Sequence, residues 1–175
     1  GRSLGGSASI DLSGNGAILT GAFDVETAIR GQDLAVAQAQ ADNLLRGPSS
    51  ITLSARRDTS GTEIRSLDVA AGTLRATASG WLREGGADLT ADLDFADLSR
   101  LGGGFRGSLA ANARVTQANG GTQIALDGTG DGLGVGQADI DRVLAGKAAL
   151  SLRAEDLDGR LRIDSFSLGN PQVTI

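Results

Sequence analysis

Strict alternation of apolar and polar residues is the feature that most constrains how this 175-residue chain can fold. Residues 89–95 read Leu-Thr-Ala-Asp-Leu-Asp-Phe, and residues 51–56 read Ile-Thr-Leu-Ser-Ala-Arg. Residues two apart on a strand point to the same side of a sheet, so each run has one apolar and one polar face. Further runs start near residues 19, 109, 124, 150 and 161. The pattern predicts an all-β fold.

Turn-forming residues separate these runs. Gly14-Asn15-Gly16, Glu84-Gly85-Gly86 and Asn119-Gly120-Gly121 are typical of tight turns between strands. We therefore expect an antiparallel meander of about ten to twelve strands. Helix is expected only briefly. Residues 35–45 allow either an Ala-rich helix or an edge-like strand followed by one turn at 42–45, and residues 139–144 suit a second short helix.

The chain also repeats itself. Residues 31–47 align with residues 130–146 at a constant offset of 99, with eight identities in seventeen positions. Long-period repetition of strands favours an elongated architecture that grows by adding units. We predict units of approximately 6–105 and 106–175, the second of them incomplete. The first residue is not Met and the last three, Val-Thr-Ile, continue an alternating run. An internal segment of a larger protein is therefore expected.

The composition excludes several chemistries. The chain has no Cys, His, Met or Tyr, and its formal net charge is −5. Nucleophile systems built on His or Cys, the usual zinc ligands, disulfides and haem attachment are thus impossible. An acidic chain is also poorly suited to nucleic acid, which requires a basic face. We predict a non-enzyme with no catalytic residues, metal or cofactor.

Four features could still carry a site. The acidic stretch 88–97 is either a solvated strand face or, less simply, a glycosidase-like carboxylate pair. The Gly- and Asp-rich stretch 127–132 is a turn or bulge, with calcium binding as the alternative. The pairs Arg56-Arg57 and Arg160/Arg162 are expected on outward faces, where they could meet lipid headgroups or an acidic partner. Trp81 points outward as a contact surface, unless a bulge at Gly80 turns it inward.

The apolar face is the most informative feature. Ala and Gly together supply 53 residues, which is about 30% of the chain. Small residues along many strands would leave space between facing walls and make an aliphatic groove, whereas a narrow, filled sandwich core is the alternative. The residues predicted to share this face and to line a lipid groove are Leu19, Phe23, Val25, Ile29, Ile51, Leu53, Leu74, Leu82, Leu89, Leu93, Phe95, Leu109, Val115, Ile124, Leu126, Leu150, Leu152, Leu161 and Ile163.

One further pattern resembles a known family. Leu-Leu-Arg-Gly at 44–47, or Val-Leu-Ala-Gly at 143–146, precedes an alternating strand, a turn, a second strand and an apolar Phe-Ser-Leu at 166–168. Residues 97–101 and 105–109 look like a recurrent connector between units. Together these residues resemble the TamB and AsmA-like family of repeating β-groove proteins of the Gram-negative envelope. The resemblance covers essentially the whole chain and consists of residue spacing rather than one sharp motif.

The resemblance implies a fold and a function. Members of that family form an elongated antiparallel sheet curled into a taco-like half-pipe with an apolar interior. They are anchored in the inner membrane, span the periplasm, are thought to carry phospholipids between the two membranes, and support outer-membrane protein assembly. Expected partners are phospholipid acyl chains, adjacent segments of the same chain and, outside this segment, an outer-membrane barrel of the TamA or BAM type. The alternative is a β-solenoid passenger or adhesin of a secreted protein, which should repeat about every twenty residues.

Overall fold

A single antiparallel sheet of ten strands makes up most of the computed structural model, which describes residues 5–17, 21–118, 120–157 and 160–169. Every strand pairs with its neighbours in sequence, and β1 does not pair with β10, so the sheet stays open. The strands are β1 (Gly5–Ala17), β2 (Ala22–Ala35), β3 (Pro48–Asp58), β4 (Gly61–Ala71), β5 (Leu74–Arg83), β6 (Gly86–Phe95), β7 (Phe105–Ala118), β8 (Gly121–Val135), β9 (Lys147–Leu157) and β10 (Arg160–Gly169). The predicted all-β, antiparallel fold is confirmed, and the open sheet is consistent with a curled half-pipe.

The two long edges of the sheet differ. The direct connections β3–β4 and β5–β6 fall at one edge, which we call the hairpin edge, whereas the short β4–β5 connection falls at the opposite one. The opposite edge carries the helix α1 (Ala39–Leu44), a 3₁₀ turn (Leu98–Leu101) and the helix α2 (Ala138–Val143), and we call it the helical edge. No described helix has the length and apolarity that crossing a bilayer requires.

Both helices lie close to their predicted positions. The first begins at Ala39, three residues before the single turn expected at 42–45, and it is not the long helix that residues 35–45 also allowed. The strand before it ends at Ala35, which pairs with β1 only, so the edge-like strand predicted there does not continue through residues 36–38. The second begins and ends one residue before the predicted range.

The strand register sorts the side chains onto two faces. Directly paired residues share a face, and Leu93 pairs with Ala76 on one side and Ala111 on the other. We call the face of this row the apolar face. Its sequence neighbour Asp92 pairs with Thr77 and Asn112 on the opposite side, which we call the polar face.

Burial is greatest for small residues. The alanines that are 3–8% exposed, namely Ala55, Ala71, Ala87, Ala148 and Ala154, all belong to the apolar face. No large side chain in the described part of the chain is fully buried. A filled sandwich core would require such side chains, so the sequence alternative of a sandwich fails and the sheet is a single layer.

Ion pairs connect neighbouring strands on the polar face. Arg114 contacts Asp88 at 2.6 Å, and Arg153 contacts Asp127 at 2.8 Å. Both pairs are diagonal in the register, and opposite charges on neighbouring strands stabilise a sheet modestly and keep this face hydrated. Within the acidic stretch 88–97, Asp88 belongs to this network and Asp92 accepts a hydrogen bond from Asn112 at 2.9 Å. Asp92 and Asp94 also line a cavity on the polar face.

Elements recur at the offset seen in the sequence. The strands β2, β3 and β4 start at residues 22, 48 and 61, and β8, β9 and β10 start at residues 121, 147 and 160, each 99 later. The irregularity in pairing also recurs, because Ile64 pairs with Ala55 as Ile163 pairs with Ala154. The two segments thus share one local structure, while the limits 6–105 and 106–175 stay a prediction.

Candidate functional site

The predicted lining residues lie together. The register places seventeen of the nineteen on the apolar face, Leu19 lies outside the described residues, and of Leu161 only the backbone, in β10, is described. The seventeen are Phe23, Val25, Ile29, Ile51, Leu53, Leu74, Leu82, Leu89, Leu93, Phe95, Leu109, Val115, Ile124, Leu126, Leu150, Leu152 and Ile163. Their shared face is a structural finding, whereas their contact with lipid stays a prediction.

The sequence analysis missed part of this face. Ile10 and Leu12 pair with Ile29 and Thr27 and extend the apolar face onto β1, where they are 65% and 69% exposed. Their alternation is hidden among Ser and Gly residues. Ile64 and Leu67 were missed because a register shift between them breaks the spacing of two. Only the pairing of the strands reveals where such a shift falls.

The apolar face is partly covered at the helical edge. A Cβ on Gly31 would lie 2.4 Å from Cδ1 of Leu34, and a Cβ on Gly130 would lie 2.4 Å from Cδ1 of Leu133. Each leucine therefore folds over a glycine of the strand that carries it. This contact explains why Gly and Leu are repeated at these positions in the two segments.

A carboxylate closes each helical connector. Asp42 Oδ1 accepts the backbone N–H of Val36 at 2.6 Å, and Asp141 Oδ1 accepts that of Val135 at 2.6 Å. Arg106 also donates to Asp141, whose side chain is only 9% exposed. These aspartates hold the chain between strand and helix, so their role is structural.

One cavity lies across β5 to β10, close to the helical edge, and has a volume of about 950 Å³. Polar-face residues from successive strands, such as Thr77, Asp92 and Asn112, supply most of its lining. Of the predicted lining residues it includes only Leu93 and Leu150. Most of the predicted lining residues therefore lie outside this cavity.

A second cavity of about 1200 Å³ lies across β1 to β5 at the same edge. Ala70 and Gly72 line it, whereas Ala71 between them does not, so it opens on the polar face. Its side chains include Arg30, Arg46, Arg75 and Arg100 together with Ser and Thr hydroxyls, and no Asp or Glu. These four arginines are 16 to 29 residues apart in sequence, so no local motif could have revealed them.

Trp81 lies on the polar face in register with Glu63 and Asp88, as the outward alternative predicted. The guanidinium carbon of Arg83 lies 4.4 Å from its ring centroid, a cation–π contact. Arg83, two residues further along the same strand, thus covers part of the Trp81 ring. Its role as a contact surface stays a prediction.

The other basic pairs divide between faces. Arg56 lies on the polar face and pairs with Asp58 at 3.4 Å. Arg57 is in register with Phe23 and so lies on the apolar face, where it donates to Thr62 Oγ1 at 3.2 Å, and its predicted place beside Arg56 is wrong. Arg162 bridges Glu155 and Asp164 on the polar face. The side chain of Arg160 lies outside what the structure describes.

The calcium-like stretch 127–132 belongs to β8 and is paired with β7 and β9 through Asp131. Of the predicted turn or bulge, the structure has an irregularity of the bulge kind, because the β7–β8 register shifts between Asp131 and Gly134. The Arg153 guanidinium and the Ser151 hydroxyl lower the pKa of Asp127 below its usual range. Among the described residues no group of three or more acidic side chains could hold a metal ion.

No family model, curated protein or solved structure matches this chain. The resemblance to repeating β-groove proteins therefore stays a prediction that rests on the quoted residues.

Proposed function

We propose that this chain is a lipid-carrying segment in which the apolar face of the sheet holds phospholipid acyl chains. The observation that carries the proposal is that the register gathers seventeen of the predicted lining residues on one face of a single-layer sheet, without a second layer among the described residues. Soluble domains normally bury such a face against another element, and a large uncovered one marks a site for an apolar ligand or partner.

Dimensions and energetics agree with acyl chains. With strands spaced ~4.8 Å apart, the ten-stranded sheet is about 48 Å long across its strands. Burial of one CH₂ contributes ~0.8 kcal/mol, so a sixteen-carbon chain gains on the order of 10 kcal/mol. Several acyl chains can lie along such a face while their headgroups stay hydrated. Binding of this kind is passive and needs no catalytic residue.

The cellular setting is part of the same proposal. By its resemblance, the segment belongs to an inner-membrane-anchored protein that crosses the periplasm, moves phospholipid towards the outer membrane and supports assembly of outer-membrane proteins there. Its other partners are adjacent segments of the same chain and, beyond this segment, a barrel of the TamA or BAM type. The β-solenoid alternative requires parallel strands in short coils, and the antiparallel meander does not supply them.

Photocrosslinking tests the proposal with controls one residue away. A photoreactive amino acid at Leu53, Leu93 or Leu126 would lie on the apolar face. The same residue at Thr52, Asp92 or Asp127 would lie on the polar face of the same strand. We expect lipid adducts at the first set only, and phospholipid that co-purifies with the chain in mass spectra. Equal labelling of both sets, or no lipid at either, would overturn the proposal.

A further inference from the structure

The second cavity combines cationic side chains with no acidic lining, which is unusual in a chain of net charge −5. Arg30 forms an ion pair with Asp11 at 2.9 Å. Arg46 donates to the Asn43 side chain at 3.3 Å, and Arg75 donates to a backbone carbonyl at 3.3 Å. Among the described residues, Arg46, Arg75 and Arg100 have no carboxylate within 4.0 Å.

Asp33 and Asp97 lie close enough to Arg46 and Arg100 to interact with them electrostatically, but both also accept hydrogen bonds from other donors. Asp94 is in register with Arg75 and forms no ion pair with it within 4.0 Å. Asp33 accepts Gln32 Nε2 at 3.0 Å and the backbone N–H of Gly47 at 2.8 Å. Asp97 accepts the backbone N–H of Ser99 at 2.9 Å and caps the 3₁₀ turn. The guanidinium groups of Arg46 and Arg100 therefore stay available to a ligand.

Hydroxyl and amide groups complete the cavity. Ser7, Ser9, Ser50 and Gln32 line it from the polar face of successive strands. Arginine and hydroxyl donors are the side chains that bind the oxygens of phosphate, and a guanidinium can bind two of those oxygens at once.

The second repeat supplies an internal comparison. Positions 99 residues beyond Arg30, Arg46, Ser49 and Ser50 are Thr129, Ala145, Ala148 and Ala149. The backbone recurs there, but the arginines and serines do not. The backbone that the two segments share therefore does not require these four side chains.

From these observations we propose that this cavity binds a phosphate group, carried either by a phospholipid headgroup or by a free phosphate ester. Phosphate binding at this site does not require acyl chains to bind the apolar face. If the phosphate belongs to a phospholipid, the site would add headgroup binding to the proposed lipid function. The principal binding groups are Arg46, Arg75 and Arg100.

The test compares R46Q/R100Q with R83Q/R142Q. Both double variants remove the same charge and keep part of the side chain, and the second lies outside the cavity. The probes are inorganic phosphate, glycerol phosphate, and vesicles of phosphatidylcholine with and without one-fifth phosphatidylglycerol. Calorimetry and vesicle flotation measure binding, and circular dichroism checks folding.

We expect R46Q/R100Q to weaken binding about tenfold, since each exposed charge contact contributes up to ~1 kcal/mol, and R83Q/R142Q to bind as the unaltered chain does. Binding of the soluble phosphates identifies a free ester as the ligand, and binding only to phosphatidylglycerol vesicles identifies a headgroup. The proposed phosphate site would be overturned if the unaltered chain bound none of the probes, or if both double variants weakened binding equally. Lipid crosslinking on the apolar face does not depend on either of these results. A failure of the phosphate site can therefore be told apart from a failure of the proposed lipid function.

Discussion

Gly80 sits within β5 at a φ of 142°, a backbone conformation that side chains with a Cβ rarely adopt. A Cβ there would come 2.1 Å from the carbonyl oxygen of Asp88 on the neighbouring strand. The sequence suggested that a bulge at Gly80 could turn Trp81 inward. Instead the β5–β6 register is regular through this glycine, and Trp81 stays on the polar face. Sequence could identify the special residue, but not the direction of its effect.

Substitution of Gly80 by Ala should destabilise the sheet. The strained φ and the clash with Asp88 together should lower the free energy of unfolding by about 1–3 kcal/mol. Gly16→Ala is the matched control, since a Cβ on that strand glycine would meet its nearest atom at 3.4 Å. Urea denaturation followed by circular dichroism measures both. Equal effects of the two substitutions would show that the backbone at Gly80 is not constrained.

The polar-face ion pairs should make stability depend on pH only in acid. Hydrogen bonds from Arg65 lower the pKa of Asp24 below its ordinary value, and the pKa values of Asp33, Asp58 and Asp97 are lowered by hydrogen bonds of their own. A carboxylate with a depressed folded pKa stabilises the fold above its unfolded pKa of about 4, and that contribution disappears as the pH falls through the folded value.

The urea midpoint should therefore be flat between pH 7 and pH 5 and should fall below about pH 4. No His is present to add a transition near neutrality. Asp24→Asn should reduce the acid-induced fall without changing its direction. A midpoint that declines between pH 7 and pH 5 would contradict this assignment.

At the scale of elements, the two helical connectors show what repetition in a sequence encodes. Identity of Asp42 with Asp141 reflects the same hydrogen bond to the strand end, and Gly47 and Gly146 accept equivalent backbone N–H groups at 3.0 and 2.9 Å. Aligning the sequence with itself was enough to find the repeat. The hydrogen bonds that explain why Asp and Gly recur are visible only in the structure. The helix starts were missed by one to three residues because neither helix has a side-chain cap at its N-terminus.

Asp141→Ala should destabilise the second connector. It leaves the Val135 N–H without its acceptor and removes the partner of Arg106, so we expect a loss of about 1–3 kcal/mol. Asp42→Ala removes only the first kind of bond and should cost less. Asp139→Ala serves as the control, because that side chain is 96% exposed and its pair with Arg142 spans 3.6 Å. If Asp139→Ala proves as damaging as Asp141→Ala, connector closure is not what stabilises this edge.

For the whole molecule, alternation and turn residues were sufficient to predict an open antiparallel meander. They were not sufficient to locate its cavities. Of the predicted lining residues, only Leu93 and Leu150 reach the cavity across β5 to β10, because concavity depends on how the sheet twists and on which small residues face each other across strands. The arginine cavity depends in addition on register between segments up to 70 residues apart, from Arg30 to Arg100.

A sheet in which each strand contacts mainly its sequence neighbours should unfold from its ends. Its stability is then a sum of nearest-neighbour terms, as in repeat proteins, and an end strand loses protection first. All thirteen residues of β1 are exposed, and it is hydrogen-bonded on one side only. Central strands such as β6 and β7 are bonded on both sides.

Hydrogen exchange followed by mass spectrometry measures this gradient. Peptides from residues 5–17 should exchange faster than peptides from residues 87–95 and 109–117, and the difference should persist at low denaturant, where local opening dominates. Addition of phosphatidylcholine vesicles should slow exchange on β1 most, if acyl chains cover Ile10 and Leu12. Uniform exchange along the sheet would mean that the ten strands open as one cooperative unit, which requires a covering layer that nearest-neighbour pairing does not provide.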